Sequence, residues 1–433
     1  MRTILTTILV CSLSLQVLAT EKLGETRTAK VTVDVSPSDV INIQAKYTEL
    51  VIESWDKNEV EVIATVRYEG KITNKIQSIL DDFEGRVKNQ IERRVNELTI
   101  DSDLDLPNKV QIGGKQVGIQ ISYRDDELKI TYQIKAPGGN EFDINNSYED
   151  VKLIGSFEDV TMKQYSGDLQ ADNINKADLN LKYGSASIEA IEIAEMEIYE
   201  QKLNIGRINE LEINCKYSEL ELSQVGTLDA ASYESDFELD EVSIASGNYK
   251  YGQMEITDRL DEGEFEFYEM DLEAKTAGSI RFIDSKYSNF TGGKIESLRY
   301  EQSYEDETRM EWIGNFESKN SKYGNHEIDL LTGRWVLNGY EDEVDIDRLG
   351  SSAEEIALSG KYIESSFGIR GSSFILTSDV KYGKIEYNES AVDVKRYIKE
   401  SDQLEVEVHS KTKEGTIIQI SVKGYEMDLV LND

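Results

Sequence analysis

The stretch "KYSELELSQVGTLDAASYESDFELDEV", residues 216–242, contains two tyrosines, each followed by alternating acidic and apolar residues. This alternation places successive side chains on opposite faces of a β-strand. Tyr217 and Tyr233 belong to a series that continues along most of the chain, with tyrosines at 148, 165, 183, 199, 217, 233, 251, 268, 287, 304, 323, 340, 362 and 382. A short period sustained over this length predicts stacked repeats.

The series has two phases. After Tyr217, which follows Lys and precedes Ser, apolar residues come three and five positions later. After Tyr233, which precedes Glu, they come four and six positions later. Because faces alternate along a strand, tyrosines of the first class are predicted to point away from the core and those of the second class into it. The repeat is then two half-units, together about 35 residues long.

One alternating run cannot bury its apolar face alone, but stacked copies form one continuous core. No proline follows Pro137, as expected of continuous strand pairing. We predict an all-β fold: a single-stranded, β-helix-like β-solenoid with coils of about 17 residues and a two-coil repeat. The alternatives are a coil of about 35 residues with four short strands and a series of antiparallel hairpins, and the scarcity of tight Asn-Gly turns argues against the hairpins.

Four segments are predicted. Residues 1–19 have Arg2, an apolar run and small residues before a cleavage point after Ala19, which is typical of an export signal. Residues 20–140 form an N-terminal β module with an amphipathic helix inserted at 71–98. Residues 141–390 carry the solenoid repeats, and residues 391–433, with a "KEGT" turn, form a terminal hairpin or cap of strands.

The charge excludes several partners. The chain has 84 acidic and 47 basic residues and a formal net charge of -37. Binding to nucleic acid requires clustered Lys and Arg, so nucleic acid is not an expected partner, nor is an anionic lipid surface. No second apolar segment of spanning length follows residue 19, so no transmembrane segment is predicted. The expected location is the periplasm, the cell surface or the extracellular space.

The segment "NIQAKYTELVIESWDKNEVEV", residues 42–62, resembles the opening of exported bacterial adhesin-like domains of unknown function. Their pattern K-Y-G-x-V-x-I-x-x-W-x-x-N-E-V-x-V is matched here, except that Thr48 stands where Gly is usual, by Lys46, Tyr47, Leu50, Ile52, Trp55, Asn58, Glu59, Val60 and Val62. The resemblance implies a β-helix-like fold and a cell-envelope or extracellular location. It defines no catalytic residues.

The sequence contains no recognisable catalytic constellation. His326 and His409 are the two histidines, and His326 is predicted to be a half-buried, hydrogen-bonded side chain rather than a ligand. Cys215 is predicted to be a small buried core residue. Same-face carboxylates could hold calcium or serve a glycosidase, but are expected to be solvated strand faces, at Asp101, Asp103 and Asp105 and at Glu343, Asp345 and Asp347. We predict no cofactor, no metal and no enzyme activity.

The Lys-Tyr tyrosines are the candidate binding surface. Outward tyrosines stacked one coil apart would form an aromatic ladder that binds sugar rings or a protein, or that only stabilises the corners. The members of this ladder are Tyr183, Tyr217, Tyr251, Tyr287 and Tyr323. We predict an adhesin-like binding or scaffold role at the cell envelope, with a glycan or an envelope protein as partner. The alternatives are a carbohydrate-active enzyme on a β-helix and an envelope structural component without a glycan ligand.

Overall fold

The computed structural model describes residues 23–94, 96–102, 110–112, 115–117, 128–412 and 415–432. Strands account for 78% of the structure and helices for 4%, so the prediction of a predominantly β fold is confirmed. The export signal predicted at 1–19 lies outside the described residues. In the described part, no helix combines the length and apolar character needed to cross a bilayer.

The chain divides into two compact units, with the boundary after Ile154. The strands up to that boundary are β1 (Leu23–Asp34), β2 (Val40–Lys46), β3 (Glu49–Trp55), β4 (Glu59–Lys71), β5 (Ile91–Arg94), β6 (Glu97–Asp101), β7 (Val110–Ile112), β8 (Lys115–Val117), β9 (Leu128–Pro137), β10 (Glu141–Ser147) and the start of β11 (Val151–Tyr165). In the first unit, β4 pairs antiparallel with β1 and β9, while β10 and β2 pair in parallel. Alternate residues of these strands form its core.

Two short helices lie between β4 and β5: α1 (Asn74–Asp81) and α2 (Phe83–Asn89). The sequence predicts one amphipathic helix over 71–98, so the observed helical segment is shorter and is interrupted at Asp82. The Thr73 side chain accepts a hydrogen bond from the Ile76 N–H and caps the start of α1. Residues 91–94 and 97–101 are strands because they pair with each other as an antiparallel ladder.

The second unit contains only strands and one short 3-10 helix (Glu389–Ala391) in its described part. Its strands after β11 are β12 (Leu169–Lys216), β13 (Glu219–Tyr233), β14 (Asp236–Lys286), β15 (Asn289–Tyr300), β16 (Ser303–Tyr304), β17 (Glu307–Lys322), β18 (Asn325–Ile328), β19 (Arg334–Tyr340), β20 (Glu343–Ile346), β21 (Glu355–Lys361), β22 (Glu364–Gly368), β23 (Ser373–Lys381), β24 (Lys384–Glu386), β25 (Val392–Glu400), β26 (Gln403–Ser410), β27 (Ile417–Tyr425) and β28 (Asp428–Asn432).

Pairing along the repeats of the second unit is parallel and keeps a nearly constant register. Glu219 of β13 pairs with Lys202 of β12 on one side and with Asp236 of β14 on the other, an offset of seventeen positions each way. Further along, Asp271 pairs with Asn289, an offset of eighteen positions. We call each stretch that pairs with an equivalent stretch one offset later a rung. Equivalent positions of successive rungs therefore lie directly above one another.

The core of the second unit follows from this register. Leu203, Leu220 and Phe237 occupy one column of equivalent positions, and each is no more than 2% exposed. Cys215 is buried and free, as predicted. A column of apolar side chains packed inside continuous ladders removes both apolar surface and backbone polar groups from water, which is the stabilising arrangement that a single run cannot reach.

The end of the second unit departs from sequence order. The segment 417–432, which forms β27 and β28, lies between β21–β22 on one side and β23–β24 on the other, in parallel with both. The sequence predicts a terminal hairpin or cap with a turn at "KEGT". The antiparallel hairpin of this region joins β25 to β26, and β26 pairs with the other edge of β23. Among the described residues, 373–410 are therefore joined by strand pairing to the preceding rungs only through 417–432.

Candidate functional site

Each rung of the second unit turns at one residue with a left-handed backbone, with φ between 46° and 62°. These turn residues are Ser166, Tyr183, Glu200, Tyr217, Glu234, Tyr251, Glu269, Tyr287, Glu305, Tyr323, Glu341, Tyr362, Tyr382 and Glu426. They recur every seventeen positions between 166 and 251 and every eighteen positions between 251 and 341, the same two offsets as the strand register. The rung length is therefore constant over long stretches, although the tyrosine intervals are not.

The turn residue alternates between two chemistries. In one rung it is the tyrosine of a Lys-Tyr pair, such as Tyr217, and in the next it is the residue after a tyrosine, such as Glu234. A left-handed residue interrupts the two-residue alternation of faces, so parity cannot be counted through it. The tyrosine shifts by one position between neighbouring rungs while the turn itself stays in register.

This shift corrects the predicted orientation of the second tyrosine class. Tyr233 was expected to point into the core, but it is 36% exposed and lies beside Tyr217, which is 44% exposed. Tyr199 and Tyr340, of the same class, are also partly exposed rather than buried. The apolar residues after them are buried as expected, because the left-handed glutamate takes up the extra position between tyrosine and strand.

Fourteen tyrosine rings consequently form one continuous file on the second unit. Neighbouring ring centroids are 5.1–5.7 Å apart and their planes cross at 66–83°. In spatial order the rings are Tyr165, Tyr183, Tyr199, Tyr217, Tyr233, Tyr251, Tyr268, Tyr287, Tyr304, Tyr323, Tyr340, Tyr362, Tyr425 and Tyr382. The five tyrosines predicted as a ladder are all members, and they alternate with the tyrosines that precede glutamate, the class that the sequence assigned to the core.

The alternation of the turn residue explains the edge-to-face geometry. In the first unit, Tyr47 and Tyr148 are both left-handed, and their rings stack at 4.9 Å with an angle of 13° between planes. In the second unit, neighbouring tyrosines leave the backbone from different positions, and their rings meet edge to face. This is one of the two favourable geometries for aromatic pairs, each contributing about 0.5–1.5 kcal/mol beyond area burial.

Two charged columns accompany the rings. Within the file of fourteen rings, the residue before each left-handed tyrosine is a lysine, and the residue after each of the other tyrosines from Tyr199 onward is a glutamate. We call the fourteen rings with these charged neighbours the tyrosine strip. Its lysines are Lys182, Lys216, Lys250, Lys286, Lys322, Lys361 and Lys381, and its glutamates are Glu200, Glu234, Glu269, Glu305, Glu341 and Glu426.

Hydrogen bonds with the following glutamate contribute to a raised pKa at several tyrosines of the strip. The pKa of Tyr199 is raised, first by its hydrogen bond with the Glu200 carboxylate and then by desolvation. The pKa of Tyr233 is raised first by Glu234 in the same way. A phenol whose pKa lies above its usual range stays protonated near neutral pH and can donate a hydrogen bond. The strip therefore presents apolar rings, hydroxyl donors and charges of both signs side by side.

Buried serine hydroxyls link neighbouring turns behind part of the strip. Ser218 accepts a hydrogen bond at Oγ from the Gln201 N–H at 3.2 Å and donates to the Lys216 carbonyl at 2.8 Å. Ser235 repeats both contacts one rung later, accepting from the Ser218 N–H at 3.1 Å. These bonds tie neighbouring turns together where serine follows the left-handed residue, which is the case at Ser218, Ser235 and Ser288. Where Gly184 takes this place, an added Cβ would collide with the Gly167 carbonyl oxygen.

In two of the longer rungs, an aspartate takes the place of this serine. Asp342 is 2% exposed and accepts hydrogen bonds from the Gly324 N–H at 2.7 Å and the Ser321 hydroxyl at 2.9 Å. Burial raises its pKa to about 6. Asp306 occupies the equivalent position two rungs earlier, and burial likewise raises its pKa to about 6. Both carboxyls face inward behind the strip.

His326 differs from its predicted state. It is fully buried, and neither ring nitrogen has a hydrogen-bond partner among the described residues. Its ring contacts Phe316 and Trp335 at centroid distances of 5.0 and 5.7 Å, and burial lowers its pKa to about 4. The sequence places His326 on a core-facing position but does not reveal that its neighbours are aromatic. No substrate can reach this imidazole in the folded chain.

The other candidate groups lie apart from the strip. His409 is half-buried, with its Nε2 3.0 Å from a Glu407 carboxylate oxygen. Within the described ranges, no group of three His, Cys, Asp or Glu side chains is arranged to hold a metal ion. Of the carboxylates expected on solvated strand faces, Glu343, Asp345 and Asp347 are exposed. Asp101 is half-buried, and Asp103 and Asp105 lie outside the described residues.

The comparisons with known proteins identify little. No family model matches this chain, and no curated protein does. Among solved structures, it has a distant neighbour described as a "putative cell adhesion protein" from Clostridium sporogenes, with 10% identity over 94% of this chain and 99% of that chain. The TM-score is 0.16, which does not establish a common fold.

Proposed function

We propose that the rungs of the second unit are the coils of a β-solenoid and that this protein acts as a non-enzymatic, adhesin-like binding or scaffold protein of the cell envelope. Parallel pairing at a nearly constant offset from one rung to the next supports the solenoid. So does a left-handed turn at the same place in each coil. The export signal predicted at residues 1–19 carries the proposed location.

The single observation that carries the binding role is the tyrosine strip. A ring that only stabilised its turn could be buried, yet Tyr165, Tyr217 and Tyr287 keep 42–46% of their surface exposed. Tyrosine combines a large apolar face with a hydroxyl, and for that reason it is enriched at interfaces. A file of such rings on a rigid stack of strands is a preorganised surface, so a partner that docks there orders few side chains on binding.

The buried titratable groups support a non-enzymatic role. Strongly shifted pKa values often mark catalytic sites, and here they occur at Asp306, Asp342 and His326. All three are at most 2% exposed, so burial accounts for the shifts without a catalytic purpose. The alternative of a carbohydrate-active enzyme requires carboxylates that flank a substrate, and the exposed pair Glu343 and Asp345 is the place to test it.

The test compares binding to envelope extracts and glycan arrays. One variant carries Tyr183→Ser, Tyr217→Ser and Tyr251→Ser, and a matched control carries Tyr397→Ser, which removes a ring that is 57% exposed outside the strip. We expect the strip variant to lose binding and the control to keep it. Equal binding by both variants refutes the strip as the binding surface. If the wild type releases reducing sugar and the double variant Glu343→Gln, Asp345→Asn does not, the protein is a carbohydrate-active enzyme instead.

A further inference from the structure

Among the residues that the structure describes, most charges of the strip have no oppositely charged partner within 4.0 Å. In the described part, Lys182, Lys216, Lys250, Lys322 and Lys361 have no carboxylate within 4.0 Å. Elsewhere this chain builds dense charge networks: Glu301 forms ion pairs with Lys319, Arg281 and Arg299, and its pKa is lowered to about 2, first by the hydrogen bond from Lys319. The strip thus carries lysines and glutamates in neighbouring columns that the fold itself does not pair.

The order of these charges is self-complementary. Seen from outside, successive rungs read Lys-Tyr, Tyr-Glu, Lys-Tyr, Tyr-Glu, so lysines occupy one column and glutamates the other. Consider a second copy rotated by 180° about an axis parallel to the file of rings. Its strip faces the first strip, with its lysine column opposite the glutamate column of the first copy. If the second copy is also shifted by one rung, six lysines of each strip face the six glutamates of the other, and in the overlapping rungs tyrosine faces tyrosine. Lys182 then faces Glu200 of the second copy, and Lys216 faces Glu234.

The dimensions suit a specific interface. With about 4.8 Å between paired strands, the thirteen steps from Tyr165 to Tyr382 span roughly 62 Å. Over that length, the roughly 800 Å² per partner of a standard interface corresponds to a contact about 13 Å wide. Tyrosine is enriched at such interfaces, and charged groups across them are arranged so that opposite signs meet.

The net charge of the chain argues against polyanions and polycations as partners of the strip. At -37, the molecule repels polyanions, and a polycation would be drawn to the acidic faces rather than to the strip. The strip is nearly neutral, with seven lysines and six glutamates. At physiological salt the remaining negative charge is screened beyond about 8 Å, so two strips can meet without the full repulsion of the two molecules.

We propose that the partner of the tyrosine strip is a second copy of this chain, docked strip against strip in parallel with the lysine column of each copy over the glutamate column of the other. This proposal rests on the proposed binding role and specifies its partner. Self-association of this kind would make the protein a homophilic scaffold, in which two stacks of rungs lie side by side.

The test is a charge swap in the full chain, followed by sedimentation velocity at physiological salt. The first variant makes the strip uniformly acidic through Lys182→Glu, Lys216→Glu and Lys250→Glu. The second variant makes it uniformly basic through Glu200→Lys, Glu234→Lys and Glu269→Lys. We expect the wild type to form dimers below about 0.1 mM, each variant alone to associate at least about tenfold more weakly, and an equimolar mixture of the two to recover dimers.

A control separates the strip from net charge. Arg207→Glu, Lys275→Glu and Lys294→Glu change the formal charge by the same amount as the first variant, at exposed positions outside the strip. This control should dimerise like the wild type. Circular dichroism of each variant establishes that the exposed substitutions leave the fold intact.

Two outcomes overturn the proposal: a wild type that stays monomeric at about 0.1 mM, or a mixture of the swapped variants that gains no dimer over either alone. Binding to envelope extract, measured separately, decides the proposed function. A monomeric wild type that binds extract through the strip refutes only self-association. If the wild type dimerises but binds no envelope extract and no glycan, only the envelope-binding role is refuted.

Discussion

Replacing Tyr217 by glycine should destabilise the protein less than replacing it by alanine, which is the reverse of the usual order within a strand. Tyr217 has φ of 54°, a left-handed conformation that costs an L-residue with a Cβ about 1–2 kcal/mol. Glycine avoids this cost but loses about 0.5–1 kcal/mol more backbone entropy on folding than alanine. Tyr217→Gly and Tyr217→Ala remove the same ring contacts, so that loss cancels between them. The remaining difference favours glycine by about 0.5–1 kcal/mol.

Tyr233 provides the matched comparison. It belongs to the same strip and has a ring contact with Tyr217 at 5.7 Å, but the left-handed residue of its rung is Glu234. Tyr233 therefore lies in extended backbone, where the ordinary preference for alanine over glycine holds. We expect Tyr233→Ala to be more stable than Tyr233→Gly, the reverse of the order at Tyr217.

Urea unfolding of the four variants measures the order of stability at each position. The midpoints are compared only if the dependence of the free energy of unfolding on urea is the same for each pair, because a change in that slope signals a change in cooperativity. The same order at both positions, whichever residue is favoured, would show that the turn does not alternate between Tyr217 and Glu234. The explanation of the edge-to-face rings would then fail as well.

Three further predictions follow from features away from the strip surface. Deleting 417–432 removes six buried apolar side chains, a transfer free energy on the order of 10 kcal/mol, and should make residues 373–410 sensitive to protease while 165–346 stay resistant. Burial raises the folded pKa of Asp342 from its ordinary value of 3.8 to about 6, so its contribution to stability is full below pH 3.8 and is lost as pH rises to about 6. Asp342→Asn should remove the Asp342 part of that decline in thermal unfolding while the Asp306 part remains, and an unchanged pH profile would contradict it. The exported protein should begin at Thr20 by mass spectrometry, and an intact N-terminus would refute the export signal.

The sequence predicts the β-rich fold well because strand formation depends on local alternation. Leu220, Leu222 and Cys215 are buried as their parity requires. The orientation of Tyr233 could not be obtained in the same way, because one left-handed residue reverses the parity after it. A signal was present: the tyrosine intervals around Tyr217 and Tyr233 alternate between a longer and a shorter value about a constant mean.

Other features depend on contacts between distant parts of the chain. The pairing of β27 with both β21 and β23 joins residues far apart in sequence, and no local pattern distinguishes a neighbouring strand from a distant one. The environment of His326 likewise depends on Trp335, whose ring lies against it in the folded chain. The lysine and glutamate columns can be read from the sequence only after the turn positions are known, since they align at a spacing that the tyrosines do not share.

The position of 417–432 has a consequence for synthesis. A growing chain can add each earlier rung to the one before it as it emerges, but in the described pairings the block at 373–410 has no strand neighbour among those rungs. It must wait, with one edge of β23 open, until 417–432 has been made and inserted between the two parts. Completion of the fold is therefore a single late event rather than the last of many equal steps. Any pause or truncation before residue 417 leaves one open edge at β21–β22 and another at β23–β24 of the same molecule.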